Sequence, residues 1–255
     1  MALFSAEITG RQMGLLSRRF PDMTLADAYA VQRALVAKRA KTGRKITGWK
    51  IGLTSRAMQD ALKIDTPDSG VLFDDMHFES GAQVPQGRFI QPRIEAEIAF
   101  VMKSDLSGSA SREDVLAATD HICPSLEILD TRIVRADPET GAPRTIVDTV
   151  SDNAANAGIV LGHERHDPRD VDMRWIGAVV TRNETVEETG LGAGVLNDPV
   201  TAIVWLTERL GENDMAIRAG DVVLSGSFIR PVEARSGDIV HADFGDFGEV
   251  RIGFA

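Results

Sequence analysis

Apolar positions along the chain change their spacing near residue 46. Before it, Thr24-Leu-Ala-Asp27 followed by Ala28, Tyr29, Val31, Leu35 and Val36 combines an N-cap, an acidic first turn and helical spacing. Lys41-Thr-Gly43 closes that run with a basic last turn and a glycine stop. The first forty residues are therefore expected to be helical, as two helices. From Ile46 onward the texture is short β-type runs punctuated by Gly and Pro, at 46–53, 71–73, 94–102, 125–129 and 157–161. A helix is expected after Ser111, with Asp114 at its third position, and another at Asp198-Pro199 with Ile203, Leu206 and Leu210 on one face before Gly211. The C-terminal third returns to β, at 174–182, in Ala219-Gly-Asp-Val-Val-Leu224 and in Ser236-Gly-Asp-Ile-Val-His241. The shared Gly-Asp turn is recurring turn chemistry and no repeat. Irregularly spaced strands with few helices read as an α+β fold. The pattern divides into a helical extension over 1–45 and one body over 46–255, with no linker between them.

Composition narrows the function classes. The 255 residues are 43% hydrophobic and 26% charged, enough for a substantial core and too apolar for disorder. Lys plus Arg number 28 against 38 Asp plus Glu, a formal charge of −10, and no block of five basic residues occurs. A nucleic-acid surface is disfavoured, and an acidic surface repels anionic lipid. No stretch approaches the roughly 18 apolar residues of a membrane span. The beginning Met-Ala-Leu-Phe-Ser-Ala-Glu lacks the features of a secretory signal, so a cytoplasmic protein is expected. A single cysteine, Cys123, excludes intrachain disulfides and thiolate metal clusters, and its apolar setting reads as an inert buried thiol. An anionic substrate would need a local cation to overcome the surface charge.

The candidate chemistry centres on Arg93-Ile-Glu95-Ala-Glu97-Ile-Ala-Phe-Val-Met102. In a strand, Glu95 and Glu97 point to one side about 7 Å apart. Ile94, Ala96, Ile98 and Phe100 take the other side, and both faces read as buried beyond Glu97. Two carboxylates in one partly buried space repel unless a cation lies between them. Glu127, interrupting the apolar run Pro124-Ser-Leu-Glu127-Ile-Leu-Asp130, is a third candidate. Three carboxylates without a thiolate or imidazole motif suit Mg²⁺, with Mn²⁺ as substitute, better than Zn²⁺. A solvated strand face with Glu127 salt-bridged at an edge is the plain alternative. Lys50, bracketed by apolar residues in Trp49-Lys50-Ile51-Gly52-Leu53, either snorkels to the surface or is a desolvated site cation. Asp74-Asp75 after Val-Leu-Phe is a strand-end turn or delivers a carboxylate to a pocket. His163-Glu-Arg-His166 reads as a surface turn, Gly190-Leu-Gly-Ala-Gly194 lacks the context of a phosphate loop, and Ser225-Gly-Ser227 is only half of a nucleophile elbow.

Taken in order, Gly48-Trp-Lys-Ile-Gly-Leu-Thr-Ser-Arg-Ala-Met58, Asp65-Thr-Pro-Asp-Ser-Gly70, Asp74-Asp75-Met76, the Glu95/Glu97 strand, Ser125-Leu-Glu-Ile-Leu-Asp130 and Ser151-Asp-Asn-Ala-Ala-Asn-Ala-Gly158 resemble the hydratase/decarboxylase branch of the fumarylacetoacetate hydrolase superfamily. The similarity runs from the Thr24 helix to the final strand. It implies a mixed β-sandwich or β-roll core behind the helical extension, Mg²⁺ on Glu95, Glu97 and Glu127, and a homo-oligomer built on dimers, such as a pentamer or decamer. The implied reaction adds water to 2-oxohept-4-ene-1,7-dioate, through its conjugated 3-ene, in meta-cleavage aromatic catabolism. Lys50 with Asp74 or Asp75 would move protons. Ser227 would hold the C1 carboxylate, Arg56 or Arg132 the distal one, and Asn153 would complete the substrate contacts. The alternatives are a 2-oxopent-4-enoate hydratase and a 4-oxalocrotonate decarboxylase, then an acylpyruvate hydrolase or a non-catalytic partner subunit. Trp49 and Ser69 depart from the His and Tyr common at those positions in relatives.

Overall fold

The computed structural model describes residues 2–56, 59–60 and 64–255; Ala57 and Met58, which end the first motif, lie outside the described residues. The N-terminal extension contains three helical segments where two were expected: α1 (Ala2–Thr9), the single turn α2 (Leu16–Arg19) and α3 (Leu25–Ala40). Gly10 stops α1 in the left-handed region at φ 65, a conformation that favours glycine. Helix α3 begins as its sequence suggests. The Thr24 hydroxyl accepts from Asp27 N at 3.2 Å, and the Asp27 carboxylate accepts from Thr24 N at 2.9 Å, a reciprocal capping box. The extension is fastened to the body by polar contacts. Gln32 Nε2 donates to Ser69 O at 2.8 Å and Val150 O at 3.1 Å, and Ser17 Oγ donates to Asp148 Oδ2 at 2.6 Å.

The body is built on two open sheets. The larger runs β2 (Asp68–Phe73), β1 (Ile46–Gly52), β12 (Val222–Leu224), β5 (Arg93–Met102), β7 (Thr119–Leu129), β8 (Asn156–Leu161) and β3 (His77–Glu79), with β13 (Val232–Glu233) also paired to β5. It is mixed: β1 runs parallel to β12 and β3 to β8, while the β12, β5, β7 and β8 ladders are antiparallel. The smaller runs β10 (Thr185–Leu191), β9 (Gly177–Arg182), β14 (Ile239–Asp243), β15 (Glu249–Phe254) and β4 (Gln83–Val84). Strand β5 shows the predicted division of faces. Ile94, Ala96, Ile98 and Phe100 join the main core with Val180 of β9, Val240 and Ala242 of β14 and Ile252 of β15. On the opposite face Ala99 packs into a smaller apolar cluster with Leu72, Cys123, Ile159 and Leu224. Cys123 is buried there, and burial pushes its thiol up to about 12, which keeps it protonated and inert.

Three elements differ from the sequence reading. The hairpin joining β9 to β10 turns on Asn183 and Glu184, both left-handed at φ 51 and 67, the geometry of a two-residue primed turn. Glu carries no turn signal, and β10 is an edge strand without buried alternation, so period 2 was absent there. Residues Met173–Trp175 form a 3-10 turn capped by the Asp172 side chain, so the strand expected from 174 begins at Gly177. A short helix, Ile146–Ser151, was too brief to show a 3.6-residue period; Thr145 and Asp148 close a capping box at its start.

Candidate active site

The register of β5 on β7 sets Glu95 directly opposite Glu127 and Glu97 opposite Ser125. Directly opposed residues share a face, and Glu97 follows Glu95 by one pleat, so all three carboxylates project from the same side of the sheet. Each offers an oxygen within 4.8 Å of the other two. Glu97 and Glu127 are fully buried, whereas Glu95 is half-buried in a cavity wall. Single bonds orient the two deep side chains. Glu97 Oε2 accepts from Gly226 N at 2.7 Å, and Glu127 Oε1 accepts from Asn156 Nδ2 at 2.8 Å. Their other oxygens, Glu97 Oε1 and Glu127 Oε2, make no hydrogen bond among the described residues. Burial, reinforced by Glu127, pushes the Glu95 carboxyl up to about 8 against the pull of Lys50. Glu97 is raised in the same direction by burial, Glu127 and Glu95. The orphaned Glu97 Oε1 and the Glu95 and Glu97 carboxyls that resist ionisation are the features of a donor set arranged for a hard divalent cation.

Lys50 comes to this cluster from β1. Its Nζ lies 3.2 Å from Glu127 Oε2 although the side chain is almost completely buried, so it does not snorkel. Burial alone would lower the ammonium pKa; Glu127, Asp68, Glu95 and Glu97 outweigh it and hold Lys50 above its ordinary range. The partner missed from the sequence is Asp68. The β1–β2 ladder pairs Gly52 with Asp68 and Lys50 with Gly70, which puts both charged side chains on one face with glycines opposite them. A Cβ on Gly52 would sit 2.3 Å from Asp68 Oδ1 and 3.1 Å from Lys50 Nζ, so that close approach requires glycine. Asp68 is buried, its Oδ1 is without a hydrogen-bond partner among the described residues, and burial raises its pKa against Lys50. Its signal was an acid following proline at the start of an apolar strand, inside a motif already singled out. Lys50, Asp68, Glu95 and Ser227 line one cavity of about 310 Å³. A cavity of about 650 Å³ lies beside Arg93 and Arg135 and contains none of these four.

Several expected contacts are placed elsewhere. Asp74 and Asp75 sit in an exposed 3-10 turn, Asp74 accepting from Lys45 N at 3.0 Å and Asp75 paired with Arg44 at 3.0 Å. Alternation past Phe73 breaks at that turn, which directs them to solvent instead of the cavity. Arg56 is 89% exposed beside Asp60, and does not line the cavity. Arg132 is buried, with Nε donating to Asp152 Oδ1 at 2.6 Å and Nη2 to Asp152 O at 2.6 Å and Asn156 O at 3.1 Å. Nε and Nη2 are committed to the loop, and Arg132 does not line the cavity. Asn153 is likewise tied to β2, accepting from Val71 N and donating to Val71 O, each at 2.9 Å.

These two residues hold strain under the cavity. Asn153, Ala154 and Ala155 are consecutively left-handed at φ 57, 51 and 60, a conformation costing roughly 1–2 kcal/mol per residue, and Ala154 and Ala155 line the cavity. Ser227 does reach the wall, but its Oγ donates to Ile229 O at 3.0 Å and accepts from Ile229 N at 3.2 Å. Trp49 and Ser69 are buried and form no part of the wall. His166 closes a surface turn by bonding Phe247 O at 2.9 Å. Arg93, Arg135 and Arg144, which the sequence reading did not select, line the cavity with the acids.

Known proteins resemble this chain along nearly its whole length. Over 253 residues the chain is 47% identical to 2-oxo-hept-4-ene-1,7-dioate hydratase of Escherichia coli, covering 99% of this chain and 95% of that one. It is 37% identical to 2-keto-4-pentenoate hydratase of Paraburkholderia xenovorans over 254 residues, 99% of this chain and 92% of the relative. The structure of 4-oxalocrotonate decarboxylase from Pseudomonas putida, complexed with magnesium and adipate, superposes with a TM-score of 0.92 at 32% identity, covering 99% of this chain and 94% of that one. Residues 36–254, which carry the carboxylate cluster, Lys50 and Asp68, match the model of the fumarylacetoacetate hydrolase C-terminal family, and the chain belongs to that family.

Proposed function

We propose that this protein is a divalent-metal-dependent hydro-lyase converting 2-oxohept-4-ene-1,7-dioate and water into 4-hydroxy-2-oxoheptane-1,7-dioate. The observation that carries the reading is a cluster of three converging carboxylates, Glu95 of which lines a cavity beside Lys50 and a buried Asp68 oxygen without a hydrogen-bond partner among the described residues. Its support is the 47% identity to a hydratase named for that substrate. A Mg²⁺ ion on Glu95, Glu97 and Glu127, with Mn²⁺ as an alternative, would act as a Lewis acid toward the oxo-acid end of the substrate.

The chain's own residues account for the proton movements. Moving the 4,5 double bond into conjugation takes a proton from C3 and returns one to C5. Asp68 Oδ1, free of hydrogen bonds and raised toward neutrality by burial, is suited to carry that proton. Lys50 keeps its proton and presents positive charge where negative charge develops on the 2-oxo oxygen. Water then adds at C4, and the proton released balances the one C3 regains. The Arg132 and Asn153 anchors keep the strained 153–155 loop in place as the cavity floor.

An ultraviolet assay of the purified protein on this diacid, on 2-oxopent-4-enoate and on 4-oxalocrotonate, with and without Mg²⁺ and with CO₂ trapping, tests the reading. Metal-dependent hydration without CO₂ is expected. Release of CO₂ from 4-oxalocrotonate at a higher rate would instead favour the decarboxylase reading, which the 32% identical structural neighbour supports. The same proposal includes a homo-oligomer in the cytoplasm, checked by mass photometry and fractionation. No helix among the described residues is long and apolar enough to cross a membrane.

A further inference from the structure

Four arginines line the cavity, and they are not equivalent. Arg93 is bonded to Glu233 at 2.8 Å and Arg230 to Glu188 at 2.6 Å. Arg135 and Arg144 have no acidic partner among the described residues. Arg135 Nη2 donates to the Gln91 carbonyl at 2.9 Å, and Arg144 Nη1 to the Thr131 hydroxyl at 3.0 Å. The backbone forces these two guanidinium-bearing residues together. Arg144 N donates to Arg135 O at 2.9 Å, Asp137 N to Ala142 O at 2.8 Å, and an antiparallel bridge pairs Ala136 with Pro143. That register sets Arg135 directly opposite Arg144, and opposed residues share a face with Cβ atoms about 5 Å apart.

Like charges so placed are destabilising, and both side chains are half-buried. Burial first, then Arg93 and Arg144, pull the Arg135 guanidinium down to about 10. The loop thus holds two uncompensated cations at the wall of the cavity whose other members include Glu95 and Lys50. An ion pair would be the ordinary way to relieve them, but among the described residues the acids near them, Asp130 and Glu233 by Arg135 and Asp152 and Asp148 by Arg144, form no salt bridge with either. A carboxylate from a ligand matches the geometry, since the planar fork of arginine bonds both carboxylate oxygens at once.

We infer that Arg135 and Arg144 form the subsite for the distal carboxylate of a dicarboxylate substrate, and so select diacids over monoacids. The inference rests on the hydratase reading for the identity of the diacid and on the loop geometry for the subsite. It replaces Arg56 and Arg132 in that role, the first turned to solvent and the second committed to Asp152.

The test compares wild type with the Arg135→Gln/Arg144→Gln double variant, both loaded with Mg²⁺, on 2-oxohept-4-ene-1,7-dioate and 2-oxopent-4-enoate. The diacid-to-monoacid ratio of kcat/KM is expected to fall on the order of 100-fold, with the loss carried by KM for the diacid, as for removal of charge-assisted hydrogen bonds. An unchanged ratio, or equal losses on both substrates, overturns the subsite. Calorimetric binding of adipate and pentanoate to the Mg²⁺-loaded proteins reads the same site without turnover. Adipate should lose its advantage in the variant, and an advantage that persists overturns the inference. If wild type hydrates neither compound while the adipate advantage disappears in the variant, the hydratase reading falls and the subsite stands.

Discussion

Behind the cavity wall Glu97 and Glu127 converge with Glu95, which lines it, without enough protein donors to satisfy them; on the same wall Arg135 and Arg144 stand opposite each other with no salt-bridged acid among the described residues. Both groupings raise the free energy of the empty protein, because like charges are held close where water is restricted. They are built differently. The acids stand on the central ladder of the large sheet, where neighbouring strands fix each side chain, whereas the arginines stand on a loop closed by a single bridge. Contrast Arg132, three residues from Arg135, which is buried against Asp152 and holds the fold together. Arg132, neutralised within the chain, anchors the fold, whereas the arginines left open are the ones proposed above to meet a ligand.

The largest expected effect is on the acidic end. Glu95→Gln with Glu97→Gln should abolish Mg²⁺-dependent activity, exceeding the roughly 100-fold lost with outer partners of a metal site. Turnover close to wild type at low metal would break the comparison at that end. Next come Asp68, the proposed proton carrier, and Lys50, the proposed fixed cation beside it. Asp68→Asn and Lys50→Ala should each lower kcat by about 100-fold or more while Mg²⁺ affinity by calorimetry changes far less. If Asp68→Asn retains full kcat, Asp68 is only a structural partner of Lys50.

A third effect is on stability. Glu95 has an ordinary value of 4.5 and is raised to about 8 in the folded chain, so the unfolded state releases its proton first. Metal-free protein should therefore lose thermal stability as pH rises from about 4.5 toward 8, the direction Glu97 also follows, and Mg²⁺ should cancel that slope. A melting temperature that rises over this window without metal would contradict the burial described. The smallest effect is at the exposed turn. Asp75→Asn should change stability by less than about 0.5 kcal/mol and leave kcat unaltered, since Asp75 is exposed and its carboxylate pairs, among the described residues, with the partly exposed Arg44 and Arg88 away from the cavity.

Local pattern was enough for much of this architecture. Capping boxes and a proline start made α3 and the helices at 112 and 199 legible, and the alternation of Ile94 to Phe100 against Glu95 and Glu97 identified a strand with acids on one face. These features are legible because they are encoded within a few residues by caps and by the two-residue period of a strand. The second acid beside Lys50 was not legible, because Asp68 and Asp74 are equally acidic neighbours of the same apolar run. Only the β1–β2 register, with glycines at 52 and 70 leaving room, directs Asp68 inward while the turn after Phe73 directs Asp74 out. Arg132 and Arg135 were likewise indistinguishable as sequence, and which one was neutralised depended on Asp152 arriving from across the fold.

The chain by itself therefore determined its capped helices, its acidic strand and its family likeness. The tertiary structure alone decided which charges pair and which stay open. Helical and strand periods are properties of neighbouring residues, whereas the compensation of a charge depends on partners brought together from distant parts of the chain.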